Sequence, residues 1–300
     1  MKRPPYLQKG SHVRIISTAR KISQSEVQPS VNLLNSWGLR VSFGKHTFDQ
    51  YHQFAGEDQM RAFDLQHALD DPDVDMIWCS RGGYGTVKLI DNIDFSRFIE
   101  SPKWVVGYSD VTGLLCHITE QLGVASLHAT MPVNIKHPSS QDQDVSNNSL
   151  RSVLFGEQAR YTLPSHRLSK PGSFSGELIG GNLSILYSIL GTSSAPRTNG
   201  KVLFLEDLDE YLYHIDRMMV NLNRNGLLKD LSGLIVGGMS DMNDNTVPYG
   251  LSAEEIVLKH VENYNYPVYF GFDAGHVSPN LALPFGFHAE VENNIVSFSL

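Results

Sequence analysis

The stretch Trp104-Val105-Val106-Gly107-Tyr108-Ser109-Asp110-Val111-Thr112-Gly113-Leu114-Leu115 decides how the chain folds. Its opening apolar run reads as a buried parallel strand. The run stops at Gly107, passes a Ser-Asp pair, and resumes with helical spacing from Val111 to Leu122. A serine on such a strand-to-helix turn has its hydroxyl pushed clear of the sheet, and the helix N-terminus aims free N–H groups at the same space. Those donors and the helix dipole favour developing negative charge. Ser109 is therefore the leading nucleophile candidate for acyl transfer. The plainer alternative is that Ser109 or Asp110 only caps the helix. The pattern is not a G-x-S-x-G elbow, because its glycines stand at Gly107 and Gly113.

Upstream, His12–Ser17 reads as a strand, Ser25–Trp37 as a helix closed by Gly38, and Leu39–Phe43 as a second strand. Glu57–Leu69 has acids in its first turn and Met60, Phe63, Leu65 and Leu69 available to pack, which predicts a helix. Asp75–Cys79 is a strand, the glycine-rich Ser80–Gly85 follows, and Thr86–Ile90 opens another helix. Ala125–His128 comes after the Ser109 helix. Strands alternating with helices at this pitch predict an α/β fold with a parallel sheet, right-handed crossovers and ligands beyond the carboxyl ends of the strands. Both Ser109 and the Arg81–Gly85 loop fall at that edge.

Residues 12–135 are expected to form this nucleophile domain. From Lys136 to about Arg160 the composition turns polar, so 136–172 is expected to connect two domains. Residues 173–300 are then expected to form a C-terminal domain of strands and helices. Its expected elements are a helix over Leu183–Leu190, a strand over Lys201–Glu206 and a helix over Ile215–Leu222. They continue with strands at Gly233–Met239 and Val268–Phe272, a helix at Ala253–Tyr264, and a hairpin-like tail from Phe287.

Composition narrows the function. Three hundred residues with 32 acidic and 24 basic side chains give a formal charge of −8, and no basic run grips a polyanion, so nucleic acid is not expected as a partner. No stretch reaches the ~18 apolar residues a membrane span needs. The start, Met1-Lys-Arg-Pro-Pro-Tyr-Leu, lacks an apolar leader segment, and Cys79 and Cys116 lie in apolar surroundings. A cytoplasmic protein with two buried thiols is expected.

A nucleophilic serine needs a base, and the base needs a carboxylate to orient it. Among twelve histidines, His276 follows a strand and a glycine where an open α/β unit would present it; His128 also stands near a strand end. His46, His52, His166 and His260 fall in polar stretches expected to be exposed. Glu206 ends a buried strand, with Asp207, Asp209 and Glu210 close behind as substitutes. Glu206 could instead pair with Arg217, and His276 could be an ordinary loop residue. No H-E-x-x-H, cysteine pairing or dense Asp cluster suggests a metal, and the Arg81–Gly85 loop has neither a Walker lysine nor G-x-G-x-x-G, so no metal or cofactor is expected.

Taken together, Phe54–Arg61, Asp71–Gly85, Gly107–Asp110, Gly180–Leu183, Leu205–Asp207 with Ile215–Arg217, and Gly275-His276 resemble the LD-carboxypeptidases, which include the muramoyl-tetrapeptide carboxypeptidases and the microcin C self-immunity peptidases. The resemblance runs from about residue 12 to 295. It implies a serine peptidase that removes terminal D-alanine from murein tetrapeptides in peptidoglycan recycling, and a cytoplasmic homodimer. It also implies an N-terminal Rossmann-like parallel-sheet domain and a C-terminal mixed α/β domain, with the site between them. It places the nucleophile on Ser109, the acid on Glu206, the base on His276, and the oxyanion hole on the backbone N–H groups of Gly83 and Asp110. The partner expected is a muropeptide or small peptide ending in a D-amino acid. Its terminal carboxylate needs a cation, for which Arg81 is nearest in sequence, although Arg81 could equally be a structural ion-pair partner. Two departures bear on the cleft: His128-Ala-Thr-Met-Pro132 in place of a small-Pro step, and Ser17-Thr-Ala-Arg20 in place of Ala-Pro-Ser. Within the family, cleavage of a peptide–nucleotide or aminoacyl-adenylate analogue is the alternative; a non-catalytic binding protein of the same fold is another.

Overall fold

The computed structural model describes residues 1–300. The N-terminal half supplies β1 (His12–Ile16), β2 (Arg40–Phe43), β3 (Met76–Cys79), β4 (Trp104–Gly107) and β5 (Ser126–His128), with α1 (Gln24–Ser36), α2 (Asp58–Asp70), α3 (Ser96–Glu100) and α4 (Thr112–Cys116) between them. Every residue of β3 and β4 is buried, as expected for central parallel strands covered on both faces. The second half contributes α5 (Gln141–Leu154), β6 (Arg160–Thr162), β7 (Phe174–Asn182), α6 (Leu183–Ser188), β8 (Val202–Leu208), α7 (Leu212–Arg224), β9 (Gly233–Ser240) and α8 (Ala253–Val261). It ends with β10 (Val268–Tyr269), β11 (Leu283–Phe285), β12 (His288–Glu292) and β13 (Ile295–Phe298).

Two mixed sheets result. The first has the order β11-β5-β4-β3-β1-β2, parallel except for β11. Its strand order reverses between β1 and β3, which opens a crevice at their carboxyl ends. The loops bordering that crevice are Ser17–Arg20 and Ser80–Gly85, tied together by a 2.6 Å hydrogen bond between the Ser17 and Ser80 hydroxyls. The second sheet has the order β10-β9-β8-β7-β12-β13-β6, with β7 to β10 parallel and the rest antiparallel. In β12 buried and exposed residues alternate, the mark of a strand with one wet face.

Several elements differ from the sequence reading for physical reasons. The polar 136–160 stretch is not merely connecting chain, because it holds the fourteen-residue α5. Ser140 caps α5, Asp142 and Asp144 sit in its first turn and Arg151 in its last, so the polar residues that suggest a linker are helix-end signals. Leu150, Val153 and Leu154 are buried beneath it, and the hydroxyls of Ser146 and Ser149 accept from the Asn280 and Ala282 amides. Those contacts carry the chain past residue 276 back to the first sheet as β11. The helix expected at Thr86–Ile90 is instead two 3-10 turns, Thr86–Lys88 and Ile90–Asn92. Likewise the long helix expected after Ser109 is a 3-10 turn at Ser109–Val111, then α4, then a π turn at His117–Gln121.

Candidate active site

Ser109 follows β4 directly and has φ of 61°, a left-handed conformation that costs a residue with a side chain about 1–2 kcal/mol. The turn spends that strain on presenting the hydroxyl above the sheet edge. Neither Ser109 nor Asp110 caps its own helix. Asp110 is buried, and its carboxylate accepts from the Thr86 N–H at 2.9 Å, fastening the glycine-rich loop to the Ser109 turn. Burial raises the Asp110 pKa, with the Thr86 and Gly85 amides and Arg61 opposing. Gly83, at φ of 115°, lies in that loop, and its N–H donates to no protein acceptor. Next to it, Gly82 lies so close that a Cβ there would come 3.1 Å from Ser109 Oγ.

The opposite wall comes from the second sheet. Glu206 occupies a β-bulge, where the β8–β9 register shifts between Leu205 and Asp207. A bulge re-aims a side chain out of strict strand alternation, and here Glu206 and Asp207 are both buried at consecutive positions. The Glu206 carboxylate accepts from His276 twice, from Nδ1 at 2.6 Å and from the backbone N–H at 3.1 Å. Gly275 makes this approach possible. It has φ of 97°, and a Cβ there would sit 2.5 Å from the Glu206 side chain. On its other side the His276 ring places Nε2 3.1 Å from Ser109 Oγ. The Tyr108 ring lies 4.9 Å from the imidazole, and Ser240 Oγ donates to the His276 carbonyl at 2.7 Å.

Electrostatics separate the buried carboxyls. Burial pushes the Glu206 pKa up, but the hydrogen bond and charge of His276 outweigh it, and the net direction is down. Burial lowers the His276 pKa, Glu206 raises it more, and the net direction is up. Asp207 has no cation; burial and the neighbouring Glu206 charge bring it to about 7, although the Asn182 amide and the Ser184 N–H both donate to it. The arrangement thus holds one ionised carboxylate behind an imidazole that is readily protonated.

The structure brings Ser109, Glu206 and His276 together from positions 70 and 167 residues apart. Arg217 does not pair with Glu206; its guanidinium stacks over Tyr213 at 5.2 Å. His128 is fully buried in β5 among Tyr108, Phe204 and Phe285, and burial lowers its pKa to about 4. Neither ring nitrogen of His128 has a hydrogen-bond partner, nor has Glu206 Oε1. His46 and His260, expected to be exposed, are half-buried against Asp49 and Asp216. Arg81 lies near the site but donates to the Lys21 carbonyl at 3.1 Å and stands 3.7 Å from Glu26. Arg20, which the sequence reading noted only as a departure in its loop, lines the cleft beside Ser109.

This two-walled serine–histidine–glutamate arrangement defines a hydrolase-type site, and comparison with known proteins agrees in class. The LD-carboxypeptidase N-terminal domain model matches residues 13–129 and the LD-carboxypeptidase C-terminal domain model matches 175–291. A protein of Bacillus subtilis (strain 168) named "Probable murein peptide carboxypeptidase" is 34% identical over 298 residues, covering 96% of this chain and 90% of its own. The chain belongs to the LD-carboxypeptidase family, a family of peptidases. Among solved structures, the muramoyltetrapeptide carboxypeptidase from Oxalobacter formigenes superposes with a TM-score of 0.85 at 25% identity, covering 96% of this chain and 97% of its own. The microcin C7 self-immunity protein MccF, solved with glutamyl sulfamoyl guanosine, superposes with a TM-score of 0.86 at 22% identity, covering 98% and 97%, which shows a shared two-domain α/β fold.

Proposed function

We propose that this protein is a serine-type LD-carboxypeptidase that hydrolyses the L,D-peptide bond of murein tetrapeptides and releases terminal D-alanine, as a step in peptidoglycan recycling. The observation that carries the reading is the continuous contact Ser109 Oγ–His276 Nε2 at 3.1 Å and His276 Nδ1–Glu206 at 2.6 Å. In this mechanism Ser109 attacks the scissile carbonyl while His276 takes its proton. Glu206 keeps the proton on Nδ1, so that Nε2 faces the serine as acceptor, and stabilises the imidazolium that forms. The N–H groups of Gly83 and Asp110 receive the developing oxyanion. His276 then protonates the departing amine, and water, activated by the same imidazole, cleaves the acyl-enzyme. The murein assignment draws support from the names of the Bacillus and Oxalobacter relatives.

The test is mass spectrometry of a murein tetrapeptide before and after incubation with the protein. The reading expects tripeptide plus D-alanine, with the products absent when Ser109→Ala replaces the parent. An intact tetrapeptide alongside hydrolysis of an aminoacyl-sulfamoyl nucleoside would reassign the substrate to the peptide–nucleotide class. Specific binding with no hydrolysis of either would make the chain a binding protein.

A further inference from the structure

The cleft at Ser109 has two chambers of opposite character. The larger, about 340 Å³, is bordered by Asp207, Asp209 and Glu210. The smaller, about 170 Å³, has Arg20 and Arg81 on its walls and no carboxylate. Ser109, Gly83, His276 and Arg20 border both, so the reacting bond lies at their junction.

Arg20 differs from Arg81 in being uncommitted. Its backbone is pinned by an antiparallel bridge to Phe54 and by flanking bonds from Lys21 N to Gln53 O and from Ala55 N to Ala19 O, 3.0 Å each. Its side chain runs directly over Gly83, so close that a Cβ on Gly83 would lie 2.5 Å from Arg20 Cδ and 2.7 Å from Nε. Yet its guanidinium joins none of the protein's ion pairs and donates to no protein acceptor. Arg81, by contrast, already has Glu26 and the Lys21 carbonyl.

In a C-terminal residue only the amide nitrogen and one α-carbon separate the scissile carbonyl carbon from the terminal carboxylate. A cation reading that carboxylate must therefore stand beside the oxyanion donors, which is where Arg20 crosses Gly83. Asp209 and Glu210 of the larger chamber repel a carboxylate, so the leaving residue belongs in the smaller one. Resting on the carboxypeptidase reading above, we propose that Arg20 is the specificity residue that binds the substrate's terminal carboxylate. Its planar guanidinium suits two-point binding of a carboxylate, which a lysine ammonium matches only in charge.

The experiment compares a tetrapeptide ending in D-alanine with the same peptide ending in D-alaninamide. Binding is measured by calorimetry in the Ser109→Ala background, and kcat/KM in the parent background. The free acid is expected to bind more tightly than the amide. Arg20→Gln should erase that preference, weakening the acid on the order of 10- to 100-fold through KM and the amide far less, and Arg20→Lys should restore part of it. An acid-over-amide preference that survives Arg20→Gln, that falls only with Arg81→Gln, or that is absent from the Ser109→Ala protein would overturn the assignment. Failure of the parent protein to release D-alanine would instead strike the carboxypeptidase reading, and the binding comparison would still judge Arg20.

Discussion

The two walls of the cleft do their work by different means. On the first-sheet wall the chemistry lies in the backbone: Ser109 held at φ of 61°, Gly83 at φ of 115° with an unpaired N–H, and the loop carrying it fastened by Asp110. On the second-sheet wall it lies in ionisation, with Glu206, Asp207 and His276 crowded into a corner where burial, hydrogen bonds and their mutual charges shift each group. One wall stores strain and the other stores charge. Substitutions on the two walls should therefore fail in distinguishable ways, one mainly by geometry and the other with a changed pH profile.

The largest effect is expected at Ser109, the proposed nucleophile. Ser109→Ala is expected to lower kcat by at least ~10⁴ on a D-alanine-terminated tetrapeptide, without loss of the folded state as judged by circular dichroism. Glu206→Gln should cost about 10⁴ in kcat by releasing the imidazole tautomer. It should also move the acid limb of the pH profile downward, because the carboxylate is what holds the His276 pKa above 6.5. Gly83→Ala, on the strain-bearing wall, is expected to lower kcat by about 10²–10³, the effect of one misplaced oxyanion donor. Its acid limb should stay where the parent's is. A Gly83→Ala variant with a displaced limb would break the division of labour.

The parent's own pH dependence follows from the sign of the His276 shift. The proposed mechanism needs the neutral imidazole, so kcat/KM should fall as pH drops through a value above 6.5. Stability runs the other way for this group. Its raised folded pKa contributes stability fully present below the unfolded value of 6.5 and lost as pH rises through the folded value. Denaturant titrations of the parent and His276→Phe on either side of that window would reveal the difference.

The smallest expected effect is on stability. Ser109→Gly should be more stable than Ser109→Ala by about 1 kcal/mol, because glycine occupies the left-handed region without the strain. Equal midpoints in urea would argue that the turn is relaxed rather than strained.

Much of this was legible in the residues. The apolar runs at 104–107 and 202–205 mark central strands, and Ser109 and Glu206 stand where those runs end. What pattern alone left hidden is instructive. The polar 141–154 segment conceals a helix because its buried contacts with Asn280 and Ala282 are made by serine hydroxyls rather than by apolar side chains. The strand Leu283–Phe285 is three residues long with a proline at its centre, too short for periodicity, yet it carries the C-terminal segment into the first sheet. Distances between the walls are long-range facts that only the fold supplies. The sequence offered Arg81 by its nearness in the chain, as substrate cation or structural ion pair alike, whereas Arg20 comes to line the same cavity across the β1–β3 crevice. Its only signal was an arginine at a strand-end loop.

The most direct measurement of the central claim is rapid-quench mass spectrometry of the parent protein mixed with excess tetrapeptide, followed by peptide mapping. The account predicts a tripeptidyl mass on the fragment containing Ser109, appearing with the first equivalent of D-alanine and absent from Ser109→Ala. D-Alanine released at the parental rate with no adduct on that fragment, and undiminished in Ser109→Ala, would contradict it.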